Sequence, residues 1–322
     1  MVTTRRSALM GGVGIALARP ALAQRYPARP IRFIVPFAAG GGTDVPGRIL
    51  AEAMGGPLGQ TVLVENRTGA GGTIGMEMVV RSPPDGYTVV LASGGAAIIR
   101  LIYRNLSYDP VQSLLPISPW FKSDNALLVR ADSRLRSMND LLDAARREPG
   151  RVSFGSAGHG SQLHLLGEML QYLTNIRLTH VPYRGGAQAL TDLVAGNVDT
   201  VFDSFPSAVP QVRAGSVRAL AITGPTRSSF LPDTPTMVEE GITEMRAMSW
   251  GGVFAPLGTP PEIIERLSDA IIAAGQRPDV RERMARAFTE VIADRPEGLA
   301  RMIQEEIRSW SPVIRAANIV AE

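Results

Sequence analysis

Two kinds of group in this chain could do chemistry. One is a small set of titratable side chains: His159, His164 and His180, which are all of its histidines, and the carboxylates Asp44 and Asp203, each placed just after an apolar run. A histidine and a carboxylate can serve as base and acid, so His164 with Asp203 defines one reading, an exported hydrolase or lyase. Both residues also have quieter roles, His164 as a hydrogen-bonded group inside a helix and Asp203 as the cap of the helix that follows it. Without any cysteine, a zinc site would have to gather carboxylates around the histidines, and neither a metal nor another cofactor is expected.

The second kind is the backbone N–H. Glycine-rich turns follow apolar runs at Ala38-Ala39-Gly40-Gly41-Gly42-Thr43, at Ser93-Gly94-Gly95, at Ser156-Ala157-Gly158-His159-Gly160-Ser161 and at Arg184-Gly185-Gly186. A turn that leaves a strand and opens a helix presents N–H groups without intrahelical partners, and the helix dipole adds about half a positive charge. Such a site attracts an anion without lysine or arginine, and the anion expected is a carboxylate. Asp44 then either complements the first helical turn or meets an amine, hydroxyl or ordered water of the solute. Tyr183 is a packing aromatic or a solute contact, and Arg184 a solvated charge or the partner of a second carboxylate.

The elements that position these turns alternate. Strands are expected at 31–35, 61–65, 87–92, 126–129, 152–154, 178–181, 198–202, 218–222 and 249–255, with helices at 73–80, 138–147, 162–172 and 187–195 and around 207–214. Strand, glycine turn, helix, repeated, implies parallel strands with right-handed crossovers. Ser137 with Asp140 is a capping box, a short helix is expected from Thr236 to Glu239, and the tail 262–317 reads as nearly all helical with breaks at Gly275, Pro278 and Pro296. A helical tail without its own sheet should return over the first lobe. The expected organisation is a first lobe from 24–124 and 246–322 and a second from 125–245, joined by crossings near 121–125 and 245–250.

Residues 1–23 read as a secretory leader: Arg5 and Arg6, a short apolar run from Ala8 to Ala18, and Ala21-Leu22-Ala23 as the cleavage site. Thr4-Arg5-Arg6-Ser7-Ala8-Leu9 partly matches a twin-arginine export signal. The formal charge of +3 arises from 33 basic and 30 acidic residues. Removing the leader with Arg5, Arg6 and Arg19 balances it, so nucleic acid is not an expected partner. The enzyme motifs fail one by one. Lys122 is the only lysine, so no phosphate-binding Gly-Lys-Ser/Thr loop exists, and the spacing of Gly40 and Gly42 puts Val45 where a dinucleotide fingerprint needs its third glycine.

Several stretches together resemble the Bug family, the extracytoplasmic solute receptors of tripartite tricarboxylate transporters. They are Pro36 to Asp44, Val64-Glu65-Asn66-Arg67-Thr68-Gly69-Ala70-Gly71-Gly72, Pro84-Asp85-Gly86-Tyr87-Thr88, His180-Val181-Pro182-Tyr183-Arg184-Gly185, Phe202-Asp203-Ser204, Arg218 to Ala221 and Ala255 to Pro260. The resemblance implies an α/β, type II periplasmic binding protein fold, two lobes joined by two crossover segments around a ligand cleft. It implies a solute carboxylate held by N–H groups and waters of the loops Phe37–Asp44 and Ser156–Ser161, with Ser93, Gly94, His164, Tyr183, Gly185 and Asp203 along the cleft. It also implies a large and a small membrane subunit as partners. Where the family often has Thr, His and Asn-Pro, this chain has Gly95, Ala96 and Ile99-Arg100, so the solute expected ranges from di- or tricarboxylates and acidic amino acids to aromatic acids. The expectation is a periplasmic, monomeric, non-enzymatic receptor, with service to a membrane sensor as the alternative to uptake.

Overall fold

The computed structural model describes residues 26–103 and 106–316; the expected leader, 1–23, lies outside the described residues. In chain order the elements are β1 (Ile31–Val35), α1 (Asp44–Leu58), β2 (Val62–Asn66), α2 (Thr73–Val80), β3 (Thr88–Ser93), α3 (Gly95–Ile102), α4 (Pro110–Ser113), β4 (Leu114–Ser123) and β5 (Asn125–Arg130). Then come α5 (Met138–Arg147), β6 (Ser153–Ser156), α6 (Gln162–Thr174), β7 (Thr179–Pro182), α7 (Gly186–Ala195), β8 (Thr200–Ser204), α8 (Phe205–Arg213) and β9 (Val217–Ile222). The chain closes with β10 (Ser249–Pro256), α9 (Pro261–Gln276), α10 (Pro278–Arg286), β11 (Glu290–Val291) and α11 (Pro296–Ala316).

Two sheets organise these elements into two lobes. The first sheet has the order β11-β4-β10-β3-β1-β2 and the second β7-β6-β8-β5-β9. The strands expected to be parallel are so where glycine turns and helices connect them, β2-β1-β3 and β7-β6-β8. Each sheet nevertheless contains strands of opposite direction: β10 runs antiparallel to β3 and β4, and β5 antiparallel to β8 and β9. These are the strands by which the chain enters the second sheet and returns to the first, and a direct passage between sheets needs no crossover helix.

In the first lobe, β1 buries Ile31, Phe33, Ile34 and Val35 completely, as a strand covered on both faces must. Helix α1 lies very close to it. A Cβ at Gly47 would stand 3.0 Å from the Leu91 side chain and 3.3 Å from that of Val35, so the close helix–sheet approach requires glycine there. Strand β4 is an element the sequence pattern did not announce, because Pro116 and Pro119 interrupt it. The β4–β10 ladder slips register between Gly251 and Gly252, and again between Val253 and Phe254, opposite those two prolines. The slips accommodate residues that have no N–H to donate.

Several local expectations are met and others are corrected. Ser137 and Asp140 form the capping box of α5, the Ser137 hydroxyl accepting from the Asp140 N–H at 3.1 Å and the Asp140 carboxylate from the Ser137 N–H at 3.1 Å. Ser137→Ala should cost about 1 kcal/mol in urea unfolding with no change in m-value, as loss of one N-cap does. Thr236 and Glu239 make the same reciprocal pair, at 2.8 and 3.0 Å, but only a turn follows, which Gly241 ends at φ +84°. Gly275 does not break a helix. It lies in α9, buried, where a Cβ would meet Ala293 and Val291 at 2.9 Å. The break falls at Arg277, whose extended conformation suits the residue before Pro278.

The crossings meet at Asn125. Asp124 alone separates β4 from β5, and the Asn125 amide donates to Thr223 Oγ1 and to the Ala247 carbonyl, both at 3.2 Å, while Ser249 Oγ hydrogen-bonds its Oδ1. The tail was expected to cover the first lobe, and α9 and α10 do so. Helix α11 goes further: it packs on β4 and α3, and Trp310, Val313 and Ile314 join the core built around Leu127, Phe154 and Leu166 of the second lobe. Its half-buried Glu306 accepts from the indoles of Trp250 and Trp310, each at 2.8 Å.

Candidate functional site

Between the lobes lies a cavity of ≈ 50 Å³. The first lobe lines it with Phe37, Ala38, Gly41, Gly42, Thr43 and Ser93, the second with Ala157, Ser161, Gln162, Leu163, Gly186, Asp203 and Ser204, and the crossings with Phe121, Ser249 and Trp250. Four helices begin at this cavity, α1 after Thr43, α6 after Ser161, α7 after Gly185 and α8 after Ser204. Among the described residues, the N–H groups of Gly42 and Thr43 have no acceptor, and the cavity lining includes no lysine or arginine. The lobes are shut on one another. A Cβ at Gly42 would stand 1.8 Å from Ser204 Oγ, and one at Gly185 3.0 Å from the Ala38 side chain. Tyr103 Oη donates to the His159 carbonyl at 2.8 Å.

Of the residues singled out in the sequence, Phe37, Gly41, Gly42, Thr43, Ser93, Ser161 and Asp203 reach the cavity wall. Asp203 is 1% exposed; its Oδ1 accepts the Ser204 N–H at 2.8 Å, and its Oδ2 is buried without a partner. Burial pushes the carboxyl up to about 6 against the opposing pull of the nearby Ser207 hydroxyl and the Ser204 N–H. Gln162 has a similar defect. Its amide N–H donates to the Met248 carbonyl at 2.8 Å, which leaves Oε1 buried and unpartnered.

Others are placed elsewhere. Asp44 does not face the cavity: its Oδ2 accepts from the Gly40 N–H at 2.9 Å and from Arg48 at 2.8 Å, and its Oδ1 from Asn66 at 2.8 Å. Burial alone would raise its pKa, but the bonds from Arg48, Asn66 and Gly40 outweigh this and hold it below the usual carboxylate range. The carboxylate braces the glycine turn against β2, and of the two roles open to it, the structure fills the local one. Ala39 is exposed at the tip of the same turn, and Gly94 lies behind the wall against Trp250 and Glu306. Tyr183 donates to Asp192 Oδ2 at 2.8 Å, and Arg184 is exposed. Gly158 approaches the Tyr183 carbonyl and Gly71, beneath the wall.

His164 and Asp203 do not form an acid–base pair. His164 is buried behind the β6–α6 loop, where its Nδ1 accepts from the Gly160 N–H at 3.2 Å and its Nε2 lies 3.4 Å from Glu168. Ser156 is also buried there, 2.7 Å from Nε2 of His180. Burial, then His164 and His159, push the His180 imidazole down to about 2, so it is neutral. Sequence reasoning missed Gln162, Leu163, Ser204, Ser249, Trp250 and Phe121. Gln162 and Leu163 lie between the named Ser161 and His164, and Ser204 directly follows the named Asp203. Phe121, Ser249 and Trp250 sit at the crossings, which form the back of any cleft between two lobes, and that placement was the signal available.

A family model described as "Tripartite tricarboxylate transporter family receptor" matches residues 47–319. BugT of Bordetella pertussis is 39% identical over 302 residues, 93% of this chain and 92% of that protein. The periplasmic binding protein BugD superposes with a TM-score of 0.88 at 35% identity, covering 92% of this chain and all of that one. An adipate-bound protein of R. palustris matches at TM-score 0.87 and 32% identity, over 92% of this chain and 99% of that one. MatC from Rhodopseudomonas palustris, with malate bound, matches at 0.85 and 32%, over 90% of this chain and all of that one. The architecture is therefore the type II periplasmic binding protein fold that the resemblance implied, and the acid–base reading has no counterpart among these relatives. The chain belongs to the tripartite tricarboxylate transporter receptor family, whose members are periplasmic solute-binding proteins and not enzymes.

Proposed function

We propose that the protein is exported to the periplasm, captures a small carboxylate there as a monomer, and delivers it to the membrane subunits of a tripartite transporter. The observation that carries this reading is the meeting of four helix N-termini, with the open N–H groups of Gly42 and Thr43, on one cavity without a basic side chain. Such a wall favours an anion whose charge is spread over hydrogen-bond acceptors. The adipate and malate bound by the two R. palustris relatives support a carboxylate. No helix among the described residues is long and apolar enough to cross a membrane.

Gln162 Oε1 and Asp203 Oδ2 narrow the class. Two buried acceptors without donors are costly, and both belong to the cavity wall. A solute that carries a hydroxyl or ammonium group beside its carboxylate supplies the missing donor. Titration calorimetry with succinate, malate, aspartate, adipate and succinamide tests both levels. At least one acid should bind and succinamide should not. The hydroxy or amino member should bind about tenfold more tightly than its unsubstituted parent, as a satisfied buried polar group allows, and Gln162→Leu should reduce that preference. Equal binding of the acid and its amide would overturn the carboxylate reading.

A further inference from the structure

All three histidines of the chain meet in one place, although they come from three elements: His159 from the β6–α6 loop, His164 from α6 and His180 from β7. The ring centroids of His164 and His180 are 4.0 Å apart, those of His159 and His180 4.7 Å, and those of His159 and His164 5.3 Å. One ring nitrogen from each lies within 4.8 Å of the other two. Packing alone explains this poorly, because it leaves Nδ1 of His180 buried without a partner. The two inner rings are held from behind through Nε2, His180 by Ser156 at 2.7 Å and His164 by Glu168 at 3.4 Å. Histidines that bind metals are oriented as His180 is, one nitrogen anchored by an outer oxygen and the other left for the ion, while the second nitrogen of His164 is engaged only by the 3.2 Å bond from the Gly160 N–H.

We propose that His159, His164 and His180 form a binding site for a divalent transition ion of the nickel, copper and zinc group, outside the solute cavity. Neutral imidazoles suit these ions, whereas magnesium and calcium prefer oxygen ligands. Ligand nitrogens at about 2.0 Å from a tetrahedral ion stand roughly 3.4 Å apart, so the cluster has to contract. His159 can supply most of that movement: it is exposed, and it lies between Gly158 at φ +115° and Gly160 at φ +72°. The His164 and His180 planes are only 23° apart, so their in-plane lone pairs run side by side. One of those rings therefore turns about its Cβ–Cγ bond when the ion binds, and His164 gives up its long bond from Gly160.

The test is calorimetric titration of the untagged, chelator-treated protein with zinc, nickel and copper(II), with magnesium and calcium as controls. One equivalent of a transition ion should bind at micromolar concentration or tighter, and the controls should give no heat. Because the His159 side chain is exposed, His159→Ala should keep the melting temperature while weakening the ion by at least about thirtyfold. Cobalt(II) should give a visible spectrum of nitrogen ligation that the variant lacks. Absence of a single equivalent, or binding that His159→Ala leaves unchanged, would overturn the proposal. Neither result depends on which solute the cavity takes.

Discussion

Gly71→Ala is expected to weaken solute binding by at least about a hundredfold, about 2.7 kcal/mol, while the free protein still folds. Gly71 lies in the single helical turn 70–72 at φ +63°, a conformation that costs an alanine about 1 kcal/mol. The larger effect lies across the cleft. A Cβ there would stand 2.0 Å from the carbonyl oxygen of His159 in the opposite lobe, and a backbone atom cannot rotate away. The lobes would have to part by about an ångström or more, since non-bonded heavy atoms sit near 3.5 Å. The contacts of Gly42 with Ser204 and of Gly185 with Ala38 would open with them. Calorimetry gives the affinity, and small-angle scattering should show that solute no longer compacts the variant. Wild-type affinity in Gly71→Ala would mean that binding does not use the shut arrangement.

Asp203→Asn is the second change with a large expected effect, and it acts on stability and binding in different ways. The folded-state pKa of Asp203 is raised from 3.8 to about 6. The unfolded chain therefore ionises first as pH rises, and the native state loses stability between about pH 4 and pH 6, with the loss complete above the folded pKa. The interval of about two pH units corresponds to about 3 kcal/mol. The stability of Asp203→Asn relative to the wild type should thus rise by about 3 kcal/mol from pH 4 to pH 7 in urea unfolding, whatever its offset at pH 4. Binding should move the other way. The amide keeps an oxygen for the Ser204 N–H and turns a donor toward the place of Oδ2, so a hydroxyl or ammonium group on the solute loses its acceptor. The affinity for such a solute should fall by at least about tenfold. A pH-independent difference between variant and wild type would show that Asp203 is ionised at no cost.

The sequence made the fold legible wherever local chemistry decided it. Apolar β-branched runs gave β1 and β3, Ser137 with Asp140 gave the start of α5, and the glycine turns marked where helices begin. Strand β4 was hidden because its prolines are tolerated only through register slips with β10, a partner more than a hundred residues away. Gly275 read as a helix break, yet its role is to admit Ala293 and Val291, which again depends on a distant segment. The site divided along the same line. Gly42 and Ser93 were found from their places after strands and Phe37 and Asp203 from the family resemblance, whereas Phe121 and Trp250 reach the cavity only because the crossings bring them there. Asp44 shows the converse: its position left a local role and a solute contact both open, and Arg48, Asn66 and Gly40 occupy its carboxylate locally.

The proposed capture of an anion by peptide groups has a consequence for how the solute arrives. Peptide dipoles act within a turn of the helix end and exert little force at long range, so the cavity wall itself, which carries no lysine or arginine, pulls little on a distant solute. On that reading the wall adds little to the encounter rate or to its dependence on ionic strength. The same wall offers no fixed cation for chloride or phosphate to neutralise. Selection among anions is thereby left to the moment of enclosure, when a solute of the wrong shape leaves the dipoles unmatched and the mouth open.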